Sequence, residues 1–121
     1  MVKTFTADIV FLVDTSSSVG TLDFRSQKQF VKSMAKSLNV APEKSRAGII
    51  TYGATSSQPD SAGMYASLSA FEASVDGSRY IGGPRRTHLA VDNADALLRT
   101  ARLNVHKVVV LLTGEIGRAH V

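Results

Sequence analysis

The sequence has 121 residues, 44% of them hydrophobic and 20% charged, with three prolines and no cysteine; that is one domain's length of chain with enough apolar residues for a buried core, which argues against two domains and against disorder. Fourteen Lys and Arg against ten Asp and Glu leave a net charge of +4 without any run of five like charges, too weak a basic field to indicate nucleic-acid binding. The absence of cysteine excludes a disulfide framework, a zinc ribbon and a thiol nucleophile.

In chain order, Met1 to Thr6 lacks the apolar core of a secretory signal. Ala7–Asp14 is an almost unbroken apolar run ending in a carboxylate, the pattern of a strand covered on both faces in a parallel sheet. After the polar loop Thr15–Gly20, Phe24, Val31, Met34, Ala35 and Leu38 recur at helical spacing, with Lys28, Lys32 and Lys36 forming a solvated stripe on the other side. Ser45–Tyr52 reads as a second strand and Thr55–Gly63 as a loop. Met64–Leu68 reads as a short third strand, followed by a brief helical piece around Phe71–Val75. Gly82-Gly83-Pro84 breaks the chain before an amphipathic helix from Thr87 to Leu103, and Val105–Leu112 is a last buried strand. Its five-residue apolar stretch Val108–Leu112 is the longest, far short of the roughly 18 residues of a membrane span. Strands alternating with helices predict an α/β fold, a doubly wound, mostly parallel sheet with helices on both faces.

In such sheets ligands bind at the carboxyl ends of the strands. The first strand ends in Asp14-Thr15-Ser16-Ser17-Ser18, a carboxylate followed by two hydroxyls at alternate positions. These hard oxygen donors suit Mg²⁺, Mn²⁺ or Ca²⁺. One charge and two neutral hydroxyls would leave the ion electrophilic enough to take an acidic group from a partner. On the residues alone, capping of the next helix and satisfaction of loop amides explain the same hydroxyls equally well.

Asp8-Ile9-Val10-Phe11-Leu12-Val13 and Asp14-Thr15-Ser16-Ser17-Ser18-Val19-Gly20 resemble the opening of a von Willebrand factor type A domain, a pattern that integrin I domains share. The similarity continues through Phe24, Phe30-Val31, Arg46–Tyr52, Tyr80-Ile81-Gly82-Gly83 and Val108–Thr113. It implies a metal-ion-dependent adhesion site binding Mg²⁺ or Mn²⁺, with Asp14, Ser16 and Ser18 as ligands, and an extracellular protein as partner. The family's second loop is Gly-Gly-x-Thr-x-Thr, whereas this chain has Gly82-Gly83-Pro84-Arg85-Arg86-Thr87. Either Thr87 supplies the threonine ligand, or Thr87 matches the second threonine and Arg85 stands at the ligand position, where it has no lone pair to offer. The Asp that the family places after the fourth strand is replaced by Gly114-Glu115.

Glu115–Val121 also resembles the in-frame translation of a widely used sequencing-library adapter, so the expected organisation is a partial domain over residues 1–114 and a non-native tail over 115–121. The family fold adds two further βα units, roughly 60 residues, which would leave Val108–Leu112 an exposed, aggregation-prone edge. His88, His106 and His120 have no zinc-ligand spacing. Arg79, Arg85 and Arg86 crowd the ligand-binding end, where Arg85 and Arg86 are candidates for meeting an acidic partner. Three functions follow: a metal-assisted adhesion or matrix module outside the cell, a metal-free structural relative working through surface contacts, and an aspartyl-phosphate phosphotransferase with Asp14 as nucleophile. The last would need a second acidic residue where Ser16 stands, so the chain is expected not to be an enzyme.

Overall fold

The first strand, β1 (Ala7–Asp14), is buried along its whole length, as a nearly continuous apolar run requires when neighbours lie on both edges and helices on both faces. The computed structural model describes residues 6–41, 44–57, 64–99, 105–112 and 119–120. β1 runs parallel to β2 (Arg46–Tyr52) on one edge and to β3 (His106–Leu112) on the other. A short strand, β4 (Ala119–His120), pairs antiparallel with Leu111 and Leu112 of β3, giving the order β2-β1-β3-β4.

Alternation along the strands sorts the core into two halves. Ile9, Phe11 and Val13 point to the face covered by α1 (Thr21–Ser37) and α2 (Leu68–Asp76), where they meet Phe24, Val31, Ala35, Phe71 and Val75. Val10 and Leu12 point to the other face, with Ile50, Tyr52 and the two buried alanines of α3 (Thr87–Arg99), Ala90 and Ala94. Each fully buried Val, Leu, Ile or Phe among these contributes about 1.5–3 kcal/mol, so β1, buried at every position as β2 and β3 are not, is the strand on which the fold depends most. The expected parallel α/β sheet with helices on both faces is what the chain forms.

Three details differ from the expectations, and a fourth expectation falls outside the described residues. Met64–Leu68 is no strand: Tyr65 makes a single antiparallel bridge to Ala47, with N–H···O bonds of 2.7 and 3.0 Å. Ser67 is already the N-cap of α2, accepting from the Ala70 amide, so the helix takes the residues a longer strand would need. The lysine stripe is only partly solvated, since Lys28 Nζ lies over the Phe24 ring and donates to the Asp76 carbonyl, while Lys32 pairs with the Asp76 carboxylate at 2.8 Å. α3 is described to Arg99, and the expected end at Leu103 lies outside the described residues, as do Thr113, Gly114, Glu115 and the proposed boundary beside them. β3 is less buried than a central strand, only Val110 and Leu112 being fully covered.

At the far end of β1 the register sets Asp8 between Arg46 and Lys107. Asp8 is fully buried and Lys107 Nζ donates to it at 2.8 Å. No described helix is long and apolar enough to cross a membrane.

Candidate functional site

At the carboxyl end of β1 the backbone leaves the sheet at Asp14, whose side chain is fully buried. The loop that follows divides its hydroxyls between two tasks. Thr15 and Ser17 hold the loop: Thr15 Oγ1 donates to the Tyr52 carbonyl at 2.9 Å and accepts from the Ile81 amide at 3.2 Å, and Ser17 Oγ accepts from the Gly83 amide at 2.7 Å. Ser16 and Ser18 turn the other way, their Oγ atoms 3.0 Å apart. Neither caps α1, whose N-cap is Gly20 with no side-chain hydrogen bond. The capping alternative is thus answered residue by residue: loop amides account for Thr15 and Ser17 but not for Ser16 and Ser18.

Three segments are laced together here through their backbones. The Gly82 amide donates to the Thr15 carbonyl at 2.7 Å, the Ser17 amide to the Gly83 carbonyl at 2.8 Å, and the Ala54 amide to the Gly82 carbonyl at 2.8 Å. Tyr80 adds a clamp, its hydroxyl reaching the Ser16 carbonyl at 3.0 Å and the Val19 carbonyl. Its ring packs on Phe24, with centroids 5.9 Å apart. The Arg86 amide donates to the Gly53 carbonyl at 3.1 Å, which fixes the entrance to α3.

Asp14 Oδ1 accepts from the Ser16 amide at 2.8 Å. Its Oδ2 receives no aligned hydrogen bond and is met by an ion pair with Arg85 Nε. The same guanidinium donates through Nη2 to Ser18 Oγ at 2.9 Å. Arg85 therefore bridges two of the candidate ligands. Thr87, the first residue of α3, stands beside the Tyr52 hydroxyl and favours its ionised form. Burial pushes the Tyr52 hydroxyl above the usual phenol range, against the effect of Thr87, with the Asp14 charge adding to the rise and Arg85 opposing it. Tyr52 thus stays neutral at physiological pH, a fixed dipole rather than a charge.

Of the residues singled out in the sequence, Asp14, Ser16, Ser18 and Arg85 meet at one point, Thr87 stands beside it against Tyr52, and Arg86 is exposed at the rim. Among the described residues no group of three or more His, Cys, Asp and Glu side chains gathers to hold a metal. A single buried carboxylate with two converging hydroxyls does fit a hard cation in donor chemistry. In the structure, the positive charge at that point belongs to Arg85. Sequence reasoning passed over Tyr52 and the clamping role of Tyr80. Tyr80 had a signal, since a lone tyrosine ahead of a Gly-Gly turn in a polar loop asks for a partner for its hydroxyl.

The family model for the von Willebrand factor type A domain matches residues 8–120. The mouse collagen alpha-4(VI) chain is 30% identical over 108 residues, covering 88% of this chain and 5% of that protein. Human von Willebrand factor A domain-containing protein 2 is 31% identical over 119 residues, covering 95% of this chain and 16% of that protein. Mouse matrilin-2 is 29% identical over 114 residues, 88% of this chain and 12% of its own length. The chain thus spans a small part of each of these relatives. Among solved structures, proximal thread matrix protein 1 from the mussel byssus superposes with a TM-score of 0.73 at 19% identity over 90% of this chain and 31% of its own. The same protein, solved with zinc occupying its MIDAS motif, superposes with a TM-score of 0.71 at 18% identity over 90% of this chain and 31% of that one. Sheet order, loop lacing and sequence match together make the chain a member of the von Willebrand factor type A domain family.

Proposed function

We propose that this domain is a protein-binding module of the extracellular matrix that engages an acidic group of its partner at the carboxyl end of the sheet. Asp14, Ser16, Ser18 and Thr87 are the residues that would hold Mg²⁺ or Mn²⁺ there, with Arg85 and Arg86 at the rim as contacts for the partner. The convergence of the Ser16 and Ser18 hydroxyls beside the buried Asp14 carboxylate carries this reading. The names of the relatives, a collagen chain, a matrilin and a byssal matrix protein, support a matrix setting outside the cell. Held by one carboxylate and neutral hydroxyls, a divalent ion would keep a net positive charge and would supply a coordination position for a carboxylate of the partner. The protein's part is to hold the donors, and the laced backbones of Thr15, Ser17, Gly82 and Gly83 do so without help from the ion.

Calorimetric titration with Mn²⁺ of the wild-type chain beside Asp14→Ala tests the metal step. Heat in the wild type and none in the variant is the expected result; equal heats would sink it. A second, metal-free reading is favoured by one observation, the Arg85 ion pair with Asp14. It expects partner capture to survive EDTA, whereas the metal reading expects it to be lost. The phosphotransferase alternative lacks its second acidic group, because Ser16 holds that place beside Asp14, and the relatives named above include a collagen chain and a matrilin.

A further inference from the structure

We propose that Arg85 is an internal cation of this site, competing with a divalent ion for Asp14 and thereby setting the site's metal affinity. The inference rests on the metal reading above and concerns what opposes it. Asp14 is fully buried, and a buried carboxylate without a counter-charge is strongly unfavourable. Arg85 supplies that charge through Nε while its Nη2 donates to Ser18 Oγ, so it engages two of the donors a cation would use, one a carboxylate and one a hydroxyl. A guanidinium has no acceptor and cannot lose its proton, so it cannot join the ion as a ligand. The two cations exclude each other by charge and by space.

The exposure of Arg85 gives the exclusion a means of relief. The Arg85 side chain is 47% exposed although its partner carboxylate is 0% exposed, so the guanidinium has a route to solvent. Its backbone is held between anchored neighbours, with Gly83 bonded to Ser17 and Arg86 to Gly53. The side chain can swing out while the loop stays, leaving the Asp14, Ser16 and Ser18 frame intact. Linkage then requires reciprocity: an ion weakens Arg85 binding to Asp14 by the same factor by which Arg85 weakens the ion.

Two measurements on the 121-residue chain test this. Mn²⁺ affinity by calorimetry is compared between wild type and Arg85→Gln, which removes the charge but keeps a hydrogen-bonding side chain beside Asp14. Tightening of roughly tenfold or more is expected, within the ordinary range of coupling between two ligands. In the wild type, the ¹⁵N-resolved Nε–H signal of Arg85 is followed during Mg²⁺ titration; it should move from a protected to a free-arginine position with the midpoint of Mg²⁺ binding. This second readout stands even if Arg85→Gln fails to fold. Metal binding with equal affinity in both proteins and an unmoved Arg85 signal would overturn the competition while leaving the metal reading intact. No Mn²⁺ binding in either protein would overturn both.

Discussion

Three glycines decide how closely the loops around Asp14 approach one another. Gly82 and Gly83 have φ of +80° and +79°, the left-handed region that side chains with a Cβ rarely adopt. A Cβ at Gly83 would lie 2.6 Å from Ala54 Cβ, and one at Gly53 would lie 2.3 Å from the Gly82 carbonyl oxygen. Gly53→Ala and Gly83→Ala should therefore each cost about 1–3 kcal/mol, read as a lower urea midpoint. The serines separate structure from binding in a second test. Ser17→Ala removes the acceptor for the Gly83 amide and should cost about 1 kcal/mol. Ser18 is exposed, so Ser18→Ala should stay within about 0.5 kcal/mol of wild type yet weaken Mn²⁺ binding in the same calorimetric assay. Asp14, Ser16 and Ser18 were legible because they lie within five consecutive residues at the end of a readable strand. The roles of Ser17, Tyr80 and Arg85 were not, because their partners lie more than 60 residues away in the chain. The choice between Arg85 and Thr87 could not be made from spacing, since it depends on how the Gly82-Gly83 turn seats on Gly53 and Ala54.

At the scale of elements, α2 is short and buries two side chains, Phe71 and Val75. Phe71 is fully buried, with its ring 5.8 Å from that of Phe11. Phe71→Ala should cost about 3–5 kcal/mol through lost burial and a residual cavity, enough to unfold a marginal domain in thermal melts. The Lys32–Asp76 pair that joins α1 to the end of α2 is far weaker evidence of stability, because Asp76 is mostly exposed. Lys32→Ala should cost less than about 1 kcal/mol, and the difference should shrink in high salt. The long elements were readable: β1 from its apolar run, α1 from residues at helical spacing, α3 from Ala90 and Ala94. Met64–Leu68 misled because alternation over five residues cannot reveal a serine cap at Ser67 that already commits the chain to a helix. The lysines at spacing four looked solvated because nothing in the sequence says that the end of α2 passes beside them.

For the whole molecule, the sheet is unequally supported. β1 is bonded along both edges, to β2 from Asp8 to Asp14 and to β3 from Ala7 to Val13. The outer edge of β3 pairs, among the described residues, only at Leu111 and Leu112. Hydrogen exchange should follow this order, with β1 amides exchanging slowest and the outward-facing amides of His106–Val109 faster by orders of magnitude. A reversal, with β3 as protected as β1, would mean that a further strand covers that edge. The central position of β1 has a mechanical side as well. Tension applied along its axis through the chain before Ala7 cannot peel its hydrogen bonds away one at a time. It must slide the whole strand between two parallel neighbours and load both ladders together, so a pull from that side meets shear resistance where a pull on the outer edge of β3 would meet only a zipper.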